Sequence, residues 1–396
     1  MAGETTCIRT SEEDTKKNSA KKLFPEGARW ISDASCTVES PNSPVPMYFR
    51  RRFSAAEPIA HLTVTATAMG IFDLYIDGKR LSEEYFNPGF TDYKANLQAV
   101  SFTAENLSAG EHVFLAVIAG GWAVGRSSKI ANTNKSRSKL WADRQALLAA
   151  LEITYTDDSK EWIVSDEKFE VTEDGPWTFA DFYDGESYDA QKEAPASYNP
   201  LWRKASVEKL RISPRIRLRY GLPVTAHEQF EAAFIGTSPP GEALYDFGQN
   251  FAGVVTFEAE AHAGQQIIIR HAEMLDRGEL YVKNLRTAKQ ILTYTCREGK
   301  QSWSPRFTYM GFRYIGVRIV DDAEETNCDS DSIPGKPPVP APKTSSSALS
   351  SLTIRAHAIY SDLPVTGSFR CSDEALNRLQ QNLVRSGKSN FVDIPT

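Results

Sequence analysis

The sequence predicts an all-β protein: two antiparallel, jelly-roll-like β-sandwich domains, then a short helical lead-in. Three observations predict it. Short apolar runs of period two recur along the chain, Gly, Asp and Asn punctuate them, and helical spacing appears only in the final segment. A length of 396 residues accommodates two or three domains with large cores.

Residues 1–22 are polar and charged without periodicity, which predicts a disordered tail. The first sandwich is expected over 23–195. Within it, His61 to Ala68 sets Leu62, Val64 and Ala66 against Thr63, Thr65 and Thr67, the alternation of a half-buried strand. Ile71 to Ile76 follows, closed by Asp77-Gly78, a hairpin signal because both turn residues need positive φ. Val113 to Ile118 and Ala149 to Tyr155 continue the strands, and Leu140 to Leu148 reads as a short helix. The composition change at Lys192 to Pro200 marks the boundary near 195.

The second sandwich is expected over 196–370. Its strands are Val254 to Glu258, Gln266 to His271, Gln290 to Tyr294, Tyr314 to Val320 and Leu352 to Ile359. Between the last two lies a run of Pro, Ser and acidic residues over 321–351. It buries little apolar surface, so it reads as a flexible loop joining neighbouring strands of one sheet. Over 371–396 the pattern turns helical. Ser372 is placed as the cap, Asp373 and Glu374 favour the positive end of the helix dipole, and Leu376, Leu379 and Leu383 fall at helical spacing. This segment reads as the start of a helical linker or further domain.

A net charge of −6 gives no basic footprint, so no nucleic-acid partner is expected. Arg50, Arg51 and Arg52 read as a solvated strand edge. No stretch of ~18 apolar residues occurs, so no membrane partner is expected. The first residues lack an apolar core, which predicts a cytoplasmic protein. Five cysteines (Cys7, Cys36, Cys296, Cys328 and Cys371) without a CxxC pair fit reduced thiols.

Among carboxylates, Asp184, Glu186 and Asp189 are the densest cluster, either a shared site or an acidic turn closing a domain. His271 and Glu273 have strand spacing, which places them on one face as a structural or a catalytic pair, the structural reading being favoured. Sugars bind to aromatic faces with a few polar groups. Trp122, Trp177, Tyr183, Asn87, Asp92 and Asp184 are residues of that kind. The sugar-binding candidates kept are Trp122, Trp177, Asp184 and Glu186, and no metal ligands are assigned.

Several motifs, in this order, resemble one family. They are Tyr85 to Tyr93 (YFNPGFTDY), Ala119-Gly120-Gly121-Trp122, Tyr183 to Ala190 (YDGESYDA), Asp246 to Gly253 (DFGQNFAG), Arg270 to Leu275 (RHAEML), Pro305 to Tyr309 (PRFTY), Gly311 to Tyr314 (GFRY) and Asn390 to Thr396 (NFVDIPT). Their spacing resembles bacterial-type α-L-rhamnosidases, glycoside hydrolase family 78. The resemblance implies β-sandwiches ahead of an (α/α)6 barrel that hydrolyses terminal α-L-rhamnose with inversion. It places the acidic catalytic stretch directly after Pro395-Thr396, so this chain is expected to lack catalytic residues and to be silent alone. The implied partners are rhamnose-containing glycosides and the chain's own missing barrel. No cofactor is implied for catalysis, whereas one branch of the amino-terminal domain uses calcium to bind rhamnose. Two departures stand out: Asp77 where the family usually has Asn, and a long 321–351 loop. Two alternatives compete, a stand-alone rhamnose-binding module and an inactive truncated product.

Overall fold

The computed structural model describes residues 23–35, 45–125, 142, 144–193, 199–321 and 351–395. The expected tail, nearly all of the 321–351 loop, and Cys7, Cys36 and Cys328 lie outside the described residues.

The first sandwich is built on β1 (Met47–Ala55), β2 (Ile59–Met69), β3 (Ile71–Ile76), β4 (Asn96–Leu107), β5 (Gly110–Ala119) and β6 (Ala146–Tyr155). In one sheet β2 lies between β4 and β6; in the other β5 lies between β1 and β3. The period-two pattern sorts the faces as expected up to Ala66, whereas Thr67 is fully buried and donates to the Gln98 carbonyl at 2.6 Å. Leu62, Val64 and Ala66 are fully buried, while Thr63 and Thr65 face out and share hydrogen bonds with Thr103 (3.0 Å) and Ser101 (2.8 Å). Asp77 (φ 50°) and Gly78 (φ 77°) form the hairpin turn. The helix expected at Leu140 to Leu148 is not formed where it is described, since Ala146 to Leu148 open β6. Its apolar run fits a strand buried on both faces, which local periodicity does not distinguish from a helix. Arg50 is not on an edge: the strand beside β1 covers it, and it pairs with Glu170 at 2.6 Å while covering the Trp202 ring, whereas Arg51 and Arg52 run past the end of that strand and Arg52 is exposed.

The second sandwich is one ten-stranded, curled sheet. Its strands include β7 (Trp177–Asp181), β8 (Gly185–Asp189), β9 (Val224–Glu231), β10 (Ala243–Ala261), β11 (Gln266–Ala272), β12 (Ile291–Thr295), β13 (Met310–Val320) and β14 (Thr353–Ser361). They run in the order β7-β8-β12-β11-β13-β10-β14-β9. The long β10 makes the curl. Its first part pairs with β13 and its later part with β14, and the β13 register shifts between Asp246 and Phe251. Strands β13 and β14 flank β10 on opposite sides, so the segment between them joins two strands of one sheet that are not the expected neighbours but are separated by β10. Val255, Phe257, Ile267, Ile269, Phe312 and Ile315 fill the core.

Two features depart from the expected plan. Pairing is not wholly antiparallel: β8 runs parallel to β12, and Arg215–Leu218 runs parallel to β4. Gly185 permits the first of these, because a Cβ there would sit 1.8 Å from the Ile291 carbonyl oxygen. The chain also crosses the expected boundary at 195 in both directions. Strands β7 and β8 join the second sheet, while Arg203–Lys204, Ser206–Val207 and Arg215–Leu218 return to pair with the first sandwich. A shared apolar cluster, including Tyr48, Phe86, Tyr93, Trp122, Val254, Phe307 and Ile359, fuses the two bodies.

Helix α1 (Glu374–Asn390) follows β14. Its cap is Asp373, one residue beyond the expected Ser372; the Asp373 carboxylate accepts the N–H groups of Ala375 (2.8 Å) and Leu376 (3.3 Å). A tight turn then pairs Phe391 with Pro395 and Val392 with Ile394. No helix among the described residues is long and apolar enough to cross a membrane.

Candidate functional site

The polar chemistry of the chain gathers where the two sandwiches meet. Strand β3 is apolar except for Asp73, which is 4% exposed. Across the junction, Arg306 reaches it from the loop before β13. Its Nε and Nη2 donate to the two carboxylate oxygens of Asp73 at 2.8 and 3.0 Å, and Nη2 also donates to the Glu84 carbonyl at 2.7 Å. The guanidinium lies 4.0 Å over the Tyr85 ring. A bidentate fork with stacking satisfies a buried guanidinium in a way that a lysine does not.

Glu186, on β8, completes this junction. It is 1% exposed and accepts three N–H groups: the Trp177 indole and the backbones of Arg306 (3.1 Å) and Phe307 (2.9 Å). Burial pushes its carboxyl up to about 7, against the opposing pull of these donors. Glu186 thus ties β7, β8 and the loop carrying Arg306 into one unit, with no face open to a ligand.

The other sugar-binding candidates belong to the same interior. Trp122 is 8% exposed and packed among Phe86, Phe90 and Phe182, the last at 4.7 Å between centroids. At that exposure it fills core. Trp177 packs edge-on to Tyr188 and Phe307 while its N–H serves Glu186. Asp184 is buried in the turn between β7 and β8, where its backbone bonds the Asp181 carboxylate and the Ile291 amide. This is the acidic-turn reading, and Asp189 lies at the far end of β8. Asn87 accepts from Arg219 at 2.7 Å, and Asp92 is an exposed turn residue bonded to the Lys94 amide. Among the described residues no three His, Cys, Asp or Glu side chains come together, so no acidic donor set for calcium is gathered.

His271 and Glu273 do not act as a pair. His271 is fully buried; its Nδ1 contacts the Gln290 carbonyl, and burial pushes its imidazole down to about 4. Glu273 lies past the end of β11 and accepts from Asn250 and Asn284. Sequence reasoning missed Asp73 and Arg306 as partners. A lone acid inside an apolar strand was the available signal, and its partner lies 233 positions away.

A second feature is the orientation of α1. Its polar stripe (Glu374, Asn377, Gln380, Gln381, Arg385 and Lys388) lines a cleft of about 700 Å³ against β9, β10 and β14. Lys388 pairs with Glu228 at 2.5 Å, and Ser389 Oγ accepts the Ala252 amide at 3.2 Å. The apolar stripe faces away: Leu376, Leu379 and Leu383 are 48%, 51% and 58% exposed. A helix packed only on its own sandwich would bury that stripe. Val365 and Phe369, just before the helix, are exposed as well.

Two family models match the chain. Residues 57–220 match the α-L-rhamnosidase N-terminal domain, and 236–333 match the bacterial α-L-rhamnosidase concanavalin-like domain. The chain carries these two domains of the bacterial α-L-rhamnosidase family. An α-L-rhamnosidase of Formosa agariphila is 30% identical over 362 residues, covering 89% of this chain and 36% of the relative. The crystal structure of an Aspergillus terreus α-L-rhamnosidase superposes with a TM-score of 0.77 at 27% identity, covering 94% of this chain and 40% of that one. A Streptomyces avermitilis α-L-rhamnosidase, solved in complex with L-rhamnose, gives 0.73 at 27% identity, covering 90% and 32%. The chain therefore spans about a third of the length of the curated relatives it matches.

Proposed function

We propose that this chain is the accessory, non-catalytic front part of an α-L-rhamnosidase acting on rhamnose-containing glycosides, and that its task is to hold a catalytic barrel in place. The observation that carries the reading is the outward apolar face of α1. Fully burying a leucine contributes about 1.5–3 kcal/mol, and about half of each of the three, 48%, 51% and 58%, is still exposed beside the sandwich.

Inverting hydrolysis needs two carboxyl groups about 6.5–9.5 Å apart, facing a site open to sugar and water. Asp184 and Glu186 are enclosed in the junction and support no such role. Burial of Trp122 likewise speaks against a stand-alone rhamnose-binding module.

The experiment is light scattering of the pure chain over a range of concentrations, with Leu379→Lys/Leu383→Lys as comparison. The exposed stripe predicts self-association of the native chain, abolished in the double variant. Association that persists unchanged in the variant overturns the assignment of this face as the docking surface.

A further inference from the structure

The turn after α1 is not a loose end. Val392 is fully buried in the cluster shared by the two sandwiches, beside Phe86, Tyr93 and Ile359. Asp393, at the tip of the turn, has φ 70°, a conformation that a non-glycine residue adopts at a cost unless its surroundings hold it. Two contacts hold it. Its own N–H donates to Ser361 Oγ, at the end of β14, at 3.0 Å. Its carboxylate accepts the Phe90 N–H at 2.5 Å, on the loop that leads from β3 to β4. Gly89 makes room for that carboxylate: a Cβ there would lie 2.6 Å from Asp393 Oδ1, and its φ of +95° favours glycine independently.

The receiving loop is itself fixed. The Tyr93 hydroxyl donates to the Gly89 carbonyl at 3.3 Å, and Arg219 clamps Asn87 (2.7 Å) and Glu84 (2.8 Å). One acid on the chain that leaves the helix thus meets a preformed socket on the first sandwich, roughly 300 residues earlier in sequence.

We propose that Asp393 is a positioning residue: its carboxylate latches the turn after α1 into the Asn87–Tyr93 loop, so that the first sandwich sets the direction in which the chain leaves the helix. The bearing of the latch on catalysis rests on the function proposed above; its existence does not. The groups facing Asp393 are the Phe90 amide, the Tyr93 ring and, farther off, Arg219 with its partner Glu84. Burial pushes the Asp393 carboxyl up to about 6, outweighing the Phe90 bond and the field of Arg219. The docked state therefore takes up a proton, and docking tightens as pH falls through 6. The shift implies roughly ten-fold tighter docking at pH 5 than at pH 7.

Amide hydrogen exchange on this chain tests the latch without any activity assay. The reporter is the Phe90 amide, corrected for intrinsic exchange, with amides of β2 as the control for global folding. Asp393→Ala is expected to lose about ten-fold or more in Phe90 protection while β2 stays protected. Asp393→Asn keeps a carbonyl acceptor of the same shape without the buried charge, so at pH 7 it protects Phe90 at least as well as the native chain and loses the pH dependence. Native-like protection in Asp393→Ala overturns the latch, as does an equal loss in Asp393→Asn. Should Asp393→Ala unfold, the Asn variant and the pH series on the native chain decide alone. Because exchange reads docking directly, a correct latch on a chain that is no part of a rhamnosidase remains recognisable as such.

Discussion

Replacing Arg306 by Met should uncouple the two sandwiches. Arg306 is 4% exposed and Asp73 equally so, and each is the other's bidentate partner across the junction. Met fills a similar volume but leaves the Asp73 carboxylate buried opposite an apolar chain. Removing one member of a buried pair in this way costs about 3–5 kcal/mol. The lost stacking on Tyr85 and the freed Glu84 carbonyl act in the same direction. Because the pair links two bodies, the loss falls on their coupling: calorimetry should show one cooperative transition in the native chain and two in Arg306→Met. The double variant Asp73→Leu/Arg306→Met removes both charges, so most of the loss should be recovered, a strongly non-additive cycle. A cost under about 1 kcal/mol for the single variant, or additive single and double effects, would refute the reasoning.

Other perturbations follow from the same geometry. Glu186 has a folded-state pKa of about 7, raised above the ordinary 4.5 by burial, so the folded state holds the extra proton and stability falls as pH rises from 4.5 to 7. The size is about 3 kcal/mol, and Glu186→Gln should abolish that slope in urea titrations at a series of pH values. His271 acts oppositely. Its pKa, lowered to about 4, means stability is lost as pH falls from 6.5 towards 4; near pH 5–6 this offsets the Glu186 slope, the raised Asp393 carboxyl leaves a net fall with rising pH, and Glu186→Gln should remove that fall. Trp122→Ala should cost about 3–5 kcal/mol by opening a cavity in the shared cluster, measured by urea denaturation. Titration with L-rhamnose should leave the native tryptophan fluorescence unchanged, as fits a buried ring.

How much of this was legible in the sequence depended on range. Strands such as β2 were readable because alternation is a local signal, and Thr63 and Thr65 duly face outward. The Asp77-Gly78 turn was readable because few residues tolerate its φ values. The helix was readable from leucine spacing, but spacing alone does not say what the leucines face; here they face away from the sandwich. The burial of the sugar-site candidates was not readable for a related reason. Trp122, Trp177, Asp184 and Glu186 have the composition of a binding site, and composition does not report burial. The Asp73–Arg306 and Asp393–Phe90 contacts join residues hundreds of positions apart, and no local pattern encodes such a partner. The boundary at 195 followed a genuine change in composition. The chain nevertheless exchanges strands across it, because β7–β8 on one side and Arg203–Leu218 on the other each complete the neighbouring body's sheet.

The most direct test of the account is turnover of an aryl α-L-rhamnoside by the purified chain, assayed beside an intact relative as positive control. An accessory front part whose candidate carboxylates are enclosed in a domain junction predicts no release of the aryl group above the uncatalysed rate. Measurable, enzyme-concentration-dependent turnover by the chain alone would contradict it and would require an active site within these sandwiches.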